Sequence, residues 1–141
     1  MPGKDAYLDH LASVPLFNAL SRKELQRLAR ASDEVKVPAD HELVRQGDIG
    51  REMFVLVDGS ATAKRNGRKV AVLSPGAAFG ELSLLDRGPR TATVTTDTEC
   101  TLLVMAAREF SGVLDDIPGI AHKLLAALAG RIRDLDAKIY G

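Results

Sequence analysis

Two charged side chains of opposite sign lie nine positions apart in the middle of the sequence, beside residues that suit ligand binding. Glu81 provides a carboxylate that accepts hydrogen bonds from hydroxyl groups, and Arg90 provides a planar fork of donors that matches a phosphate. Gly80 has no Cβ, so a ligand can approach the backbone there. Residues 81–86 read as a short helix, whose first N–H groups are unpaired and favour an anion. Together these features favour a small ligand that carries both sugar hydroxyls and a phosphate.

The same stretch resembles the binding site of a known family. Gly80-Glu81-Leu82, followed by Pro89-Arg90-Thr91-Ala92, is similar to the phosphate-binding cassette of cyclic-nucleotide-binding domains. This family includes bacterial catabolite activators, cyclic-nucleotide-regulated kinases and gated channels. We take the cassette as residues 79–94, and the resemblance covers about residues 11–135. It includes the segments Gln46-Gly47-Asp48 with Gly50, Met53 to Gly59, and Leu73 to Gly76.

The resemblance implies a role for each residue of the cassette. It assigns the cyclic phosphate to Arg90 and the ribose 2′-hydroxyl to Glu81. The other ligand-binding residues that it implies, mainly through their backbones, are Phe79, Gly80, Leu82, Ser83, Thr91 and Ala92. Without the resemblance, Arg90 would be a surface arginine at a strand start, and Glu81 a first-turn acid favoured by the helix dipole.

Thr91 bears on the identity of the nucleotide. Its hydroxyl is suited to contact the phosphate, or the exocyclic amino group of a guanine held syn over the ribose. The alternative is a β-branched residue that starts a strand. We expect cAMP, with cGMP as the alternative ligand, and no catalytic cofactor.

The exposed face of the purine needs a cap, which the resemblance places on the last helix or on a partner subunit. Arg131 lies midway along that helix and is suited to stack its guanidinium on the base. Leu135, together with Ile139 and Tyr140, would form an apolar lid instead. A solvated arginine and ordinary core leucines are the alternative to both.

The pattern between residues 32 and 106 indicates many short strands. Alternating or apolar runs at Glu34–Val37, His41–Gln46 and Met53–Val57 are separated by glycine-rich turns. Asn66-Gly67 separates two further runs and is a strong hairpin signal. Thr91–Thr96 and Cys100–Met105 read as two more strands. Such a pattern favours a sandwich or barrel, and the resemblance narrows it to an eight-stranded jelly roll, or double-stranded β-helix, with flanking helices.

Helices are expected on both sides of the strands. Residues 1–31 form an N-terminal helical part, with Pro15 as a break and Ser21 to Glu24 as a capping box. Residues 107–141 form C-terminal helices, the last of about six turns, with Asp116 as its predicted cap. Ala121, Leu124, Leu128 and Leu135 lie near heptad positions, but Arg131 and Lys138 interrupt that seam, so we expect a monomer or a weak dimer. The whole chain is thus one domain, residues 1–141.

The composition and residue patterns disfavour several classes of function. The formal net charge is zero, which disfavours direct nucleic-acid binding. No apolar run approaches the roughly 20 residues that span a bilayer, and no secretory signal is visible. The single cysteine, Cys100, fits a reducing compartment, and we expect the cytoplasm. The scattered histidines provide no metal site of the kind that a jelly-roll enzyme would need.

No helix-turn-helix, catalytic or membrane segment follows the last helix, so the output of this predicted sensor lies elsewhere. The partner would be an effector protein or a missing output domain. Two rival functions come from other classes. One is a degenerate jelly roll that serves as a protein-interaction scaffold and binds no nucleotide, and the other is a small-molecule enzyme.

Overall fold

Strands and helices account for most of residues 7–86 and 88–140, which are the residues that the structure, a computed structural model, describes; the Tyr140 side chain lies outside that description. The strands are β1 Asp33–Val37, β2 Glu42–Val44, β3 Glu52–Asp58, β4 Ala61–Arg65, β5 Arg68–Leu73, β6 Ala78–Phe79, β7 Thr93–Thr96 and β8 Cys100–Ala106. The helices are α1 Leu8–Ala12, α2 Arg22–Arg30, α3 Ser83–Asp86, α4 Ala107–Asp116 and α5 Pro118–Tyr140, with a 3-10 turn at Pro15–Phe17.

The strands form two antiparallel four-stranded sheets, ordered β1-β8-β3-β6 and β2-β7-β4-β5. Successive side chains of a strand point to opposite faces. In β3, Phe54 and Leu56 pack between the two sheets, whereas Met53 and Val55 pack against the helices. Because both faces of this strand are covered, four consecutive residues are buried. This arrangement confirms the predicted jelly roll with flanking helices.

The turns follow the sequence signals, but some strand ends differ from the prediction. Asn66 and Gly67 both have positive φ, as the two-residue hairpin between β4 and β5 requires. β2 covers only residues 42–44 of the strand predicted over 41–46. β7 begins at Thr93, because residues 91 and 92 form a bend at the cassette. The two-residue strand β6 is too short to give a sequence pattern.

Within residues 7–31 the N-terminal helices form as predicted and are bonded to the C-terminal ones, whereas residues 1–6 of the predicted helical part lie outside the described residues. Ser21 Oγ accepts a hydrogen bond from the Glu24 backbone, and Glu24 accepts one from the Ser21 N–H at 2.7 Å, which completes the capping box. Glu24 also forms an ion pair with Lys123 of α5 at 2.6 Å. The predicted cap at Asp116 is wrong. Asp116 lies in the last turn of α4, where its carboxylate pairs with Arg27 of α2 at 2.7 Å.

The long helix α5 is packed along only part of its surface. Ile120 and Leu124 are buried against the rest of the domain. The side chains at 125, 132, 135 and 139 are between 59% and 71% exposed, so the second half of the helix leaves an apolar stripe open. None of the helices in the described residues is both long and apolar enough to span a membrane.

The Glu24–Lys123 pair should make stability depend on pH. The hydrogen bond from Lys123, followed by that from the Ser21 backbone, lowers the pKa of Glu24 below its ordinary 4.5. A depressed carboxylate pKa stabilises the fold above the ordinary value, and this contribution is lost as the pH falls through the folded-state pKa. We expect Glu24→Gln, which keeps the capping box, to lose about 0.5–1 kcal/mol of unfolding free energy at neutral pH. Denaturant titration of both proteins at neutral pH and well below pH 4.5 measures this loss of unfolding free energy.

The control is Glu99→Gln, since Glu99 is exposed and outside any ion pair among the described residues. It should unfold like the parent at both pH values. A loss from Glu24→Gln that persists undiminished in acid would contradict the assignment to the charged pair.

Candidate functional site

One open cavity of about 370 Å³ lies along residues 78–92. The chain leaves β6, turns at Gly80, forms the short helix α3 and returns through Gly88-Pro89 to Arg90. All eight residues predicted to contact a ligand line this cavity, namely Phe79, Gly80, Glu81, Leu82, Ser83, Arg90, Thr91 and Ala92. The remaining lining residues are Val44, Ala78, Asp86, Gly88 and Pro89. Its volume lies within the range of small-molecule sites.

Arg90 is the best-held side chain of the cavity. Its residue is only 9% exposed, and its Nη1 donates to the Glu52 carbonyl oxygen at 2.7 Å and to Ser83 Oγ at 3.4 Å. The guanidinium carbon lies 5.8 Å from the centre of the Phe54 ring, and that ring stacks on Phe79 at 4.9 Å. These contacts fix the guanidinium before any ligand is present, which reduces the ordering cost of binding.

The charge of Arg90 is incompletely compensated. Among the described residues it forms no ion pair with a carboxylate. Burial lowers the pKa of Arg90, an effect that the negative charge of nearby Glu52 opposes. A buried cation is costly unless it is paired. The site is therefore electrostatically suited to an anion that enters the cavity and supplies the missing charge.

Two glycines are required for this arrangement. Gly80 has φ near +80°, and a Cβ there would overlap Arg90 Nη1 and lie 2.8 Å from the Glu52 carbonyl oxygen. A Cβ on Gly50 would overlap Ser83 Oγ and lie 2.9 Å from the guanidinium carbon of Arg90. Both positions must therefore lack a side chain for the arginine to lie where it does.

The backbone around Arg90 is bonded to the turn between β2 and β3. The Arg90 N–H donates to the Asp48 carbonyl at 2.7 Å, and the Arg90 carbonyl accepts from the Gly47 N–H at 2.9 Å. The Gly50 N–H donates to the Gly88 carbonyl at 3.0 Å. These bonds explain why the Gln46-Gly47-Asp48 turn accompanies the cassette in the sequence.

The short helix offers fewer free N–H groups than the sequence suggests. The Ser83 and Leu84 N–H groups donate to the carbonyls of Gly80 and Glu81. The N–H groups of Glu81 and Leu82 donate to no described residue. The amides that remain available to a ligand therefore lie in the turn before α3 rather than within it.

Glu81 is oriented toward α5. Its Oε1 lies 3.5 Å from Arg131 Nη1, and its side chain is 18% exposed. Arg131 Nη1 is itself buried without a hydrogen bond to the described part of the chain. The predicted carboxylate and one of the predicted capping residues are thus neighbours. Neither of the two predicted capping residues lines the cavity itself, and Leu135 is 59% exposed.

Some residues of the site carry no signal in the sequence. Val44 and Ala78 form apolar walls, although they read only as strand residues. Glu52 acts through its backbone carbonyl, so its side-chain type gives no clue. Phe54 supports Arg90 from β3, and only the strand register reveals that it faces Phe79.

No metal centre is found in the part of the chain that the structure describes. Within residues 7–86 and 88–140, no three His, Cys, Asp or Glu side chains are grouped so as to hold a metal ion. Cys100 is buried and unpaired.

Comparison with protein families finds a matching family for this chain. A model of the cyclic nucleotide-binding domain matches residues 34–116. Among curated proteins, the cyclic AMP receptor protein of Thermus thermophilus is 30% identical over 130 residues, which cover 89% of this chain and 60% of that protein. The potassium/sodium hyperpolarization-activated cyclic nucleotide-gated channel 2 of Mus musculus is 38% identical over 77% of this chain and 12% of its own length. The chain thus spans only part of these relatives.

Solved structures give the same result. The N-terminal domain of a transcriptional regulator from Streptomyces coelicolor A3(2) superposes with a TM-score of 0.85 at 36% identity, covering 92% of this chain and 96% of that one. The regulatory domain of Toxoplasma gondii PKA, crystallised with cAMP, gives a TM-score of 0.72 at 35% identity over 80% of this chain and 45% of that one. Neither comparison indicates a catalytic family. The chain belongs to the cyclic nucleotide-binding domain family.

Proposed function

We propose that this domain binds cAMP in preference to cGMP and acts as a non-catalytic regulatory module. The observation that carries the proposal is the buried Arg90 guanidinium, which lines an open cavity without a carboxylate partner among the described residues. A cyclic phosphate would supply the missing negative charge and accept hydrogen bonds from the guanidinium fork. The N–H groups of Glu81 and Leu82 would donate to the same phosphate.

The ribose would occupy the other side of the cavity. Glu81 would accept a hydrogen bond from the 2′-hydroxyl, and its present neighbour Arg131 would then lose part of its electrostatic partner. Arg131 would be free to stack on the purine face. Leu135 lies on the same helix, one turn further from the cavity, and would cover the base only if α5 moved inward.

The preference for cAMP rests on the relatives, whereas Thr91 at the rim of the cavity is the residue suited to a guanine. The Thr91 side chain is exposed at the rim, and the Thr91 carbonyl accepts a hydrogen bond from Arg65 Nε at 3.1 Å, which fixes its position. The curated receptor of Thermus thermophilus is named for cyclic AMP, and the Toxoplasma gondii domain was crystallised with cAMP. A guanine in the syn conformation, bonded to the Thr91 hydroxyl, is the alternative.

Regulation would act through the C-terminal helices. Ligand at Glu81 changes the contact with Arg131, and α5 is also bonded to α2 through Lys123 and Glu24. The ligand shifts the helix position only as far as it binds the two positions with different affinity. An effector protein, or an output domain beyond residues 1–141, would sense the change.

The exposed stripe of α5 supports a weak dimer. The proposed seam runs through the exposed residues 125, 132, 135 and 139 and through Leu128, which is half-buried against the domain core, rather than through Leu124, which is buried. Isoleucine at positions 132 and 139 with leucine at 128 and 135 is the pattern that favours two parallel strands. In this register Arg131 and Lys138 would flank the seam instead of interrupting it.

Removing the Arg90 side chain tests the phosphate site. Calorimetric titration of nucleotide-stripped protein should show saturable binding of cAMP, and weaker binding of cGMP. Arg90→Ala should lose roughly 2–5 kcal/mol of binding free energy, or about thirty-fold or more in affinity. Arg51→Ala, which removes an exposed arginine nearby, is the matched control and should bind like the parent. If the parent binds neither nucleotide, the scaffold function replaces this one.

Removing Arg131 tests the base cap. Arg131→Ala should weaken cAMP binding by several-fold, because a stacked guanidinium contributes about 0.5–2 kcal/mol. Arg133→Ala, which removes an exposed arginine two residues further along α5, should bind normally. Unchanged affinity in Arg131→Ala, measured by the same titration, would eliminate Arg131 as the cap.

A charge placed in the α5 seam tests the dimer. Sedimentation equilibrium of the parent should show self-association that rises with concentration. Ile132→Asp should abolish it, because a carboxylate would be buried between two helices. Ala137→Asp introduces the same residue on the outward side and should associate like the parent. A parent that stays monomeric at high concentration would contradict the pairing.

A further inference from the structure

Positive charge is concentrated in one hairpin of this neutral chain. Between Asp58 and Glu81 the sequence contains Lys64, Arg65, Arg68 and Lys69 but no acidic residue. All four cations are exposed and lie at the tip of the β4–β5 hairpin. None of them forms an ion pair with a described carboxylate. The tip is therefore a cationic surface that the rest of the described chain leaves unneutralised.

The same hairpin presents a free sheet edge. β5 is the last strand of its sheet and pairs only with β4 among the described strands. The register of β5 against β4 shifts between Ala63 and Lys64, where Val70 is the extra residue of a bulge, so Val72 opposite Thr62 and Lys69 opposite Lys64 share one face. Val70 and Val72 are 52% and 51% exposed. The opposite face ends at Leu73, which packs on the core between the sheets. The exposed edge thus combines unpaired backbone groups, two apolar side chains and a cationic end.

The hairpin is held in place rather than free. Gln46 Nε2 donates to Asn66 Oδ1 at 2.9 Å, and the Asn66 N–H donates to Gln46 Oε1 at 2.8 Å. Arg65 Nε donates to the Thr91 carbonyl at 3.1 Å. These bonds fix the tip against the turn before β3 and the end of the cassette. Because this surface is already ordered, a partner that docks here would cause little loss of conformational entropy.

We propose that the free edge of β5 and the cationic tip form a docking surface for an acidic, extended protein segment, which adds to the sheet as a further strand. Main-chain hydrogen bonds to the open edge would provide affinity, and the valines and cations would select apolar and acidic side chains. A second copy of the hairpin is disfavoured, because its like charges would face these cations.

A protein segment suits this surface better than a nucleic acid. Residues 59–78 contain no aromatic side chain on which a base would stack. Val70 and Val72 occupy the middle of the edge, where a phosphate backbone would find no donor side chains. The inference does not depend on cyclic-nucleotide binding, because none of the four cations and neither of the two valines lines the ligand cavity.

The test is an amide NMR titration of the full chain with a short peptide of alternating valine and glutamate. We expect saturable shifts of the β5 amides. A peptide of the same sequence, N-methylated at alternate residues, keeps the charge but cannot pair as a strand, and should bind about tenfold more weakly or worse. The charge-reversed pair Arg68→Glu with Lys69→Glu should lose at least about tenfold in affinity.

The matched control is Arg22→Glu with Lys23→Glu on α2, which changes the net charge equally at exposed positions away from the hairpin. It should bind the peptide like the parent. Three results would each overturn the proposal: equal weakening by both charge-reversed pairs, equal binding of the N-methylated peptide, or absence of shifts in β5. Tighter binding of a short DNA duplex to the same tip would also overturn it, in favour of a nucleic-acid partner.

Discussion

A guanidinium group buried beside an open cavity, with no ion pair to a carboxylate in the described part of the chain, constrains much of this structure. Arg90 lies between a backbone carbonyl, a serine hydroxyl and an aromatic ring, none of which carries a negative charge. Its position requires glycine at 50 and 80, the Phe54–Phe79 pairing of β3 with β6, and the turn at 47–48 that holds its backbone. Burial of this cation is costly, and an anion that entered the cavity would offset that cost.

The opposite side of the cavity connects the site to the helices. Glu81 is close to Arg131, but the pair is weak, because the separation is 3.5 Å and Arg131 Nη1 forms no hydrogen bond with any described residue. A ligand hydroxyl is a stronger hydrogen-bond partner for the carboxylate than this contact. The helix that carries Arg131 is joined to α2 by Lys123, and α4 is joined to α2 by Asp116. The N-terminal and C-terminal helices are therefore expected to move together, as one layer against the β-sheets.

Sequence reasoning correctly predicted those parts of the structure that local chemistry determines. The Asn66-Gly67 hairpin, the Ser21 capping box and the apolar strand β3 each have a short-range signal, and each forms as predicted. The family resemblance predicted the number of strands and a binding site within residues 79–92. In the structure, residues of this range line one cavity. Whether these residues bind a nucleotide stays a prediction.

What could not be predicted depends on contacts between distant segments. Asp116 was expected to cap α5, but its carboxylate forms an ion pair with Arg27, which lies on a helix far earlier in the chain. Leu124 was expected near a heptad position, but only the fold reveals that Leu124 faces the domain and Leu125 faces outward. The hydrogen bond from Arg90 to the Glu52 carbonyl could not be predicted from the sequence either, because every residue has a backbone carbonyl.

The central claim is that Arg90 holds a buried charge for the phosphate of a cyclic nucleotide. NMR observation of the Arg90 Nε–Hε group in nucleotide-stripped protein tests it most directly. The account predicts that cAMP shifts this resonance and slows its exchange with water, in step with saturation of the site. Binding of cAMP that leaves the Arg90 resonance unchanged, or a resonance that never responds, would contradict the account.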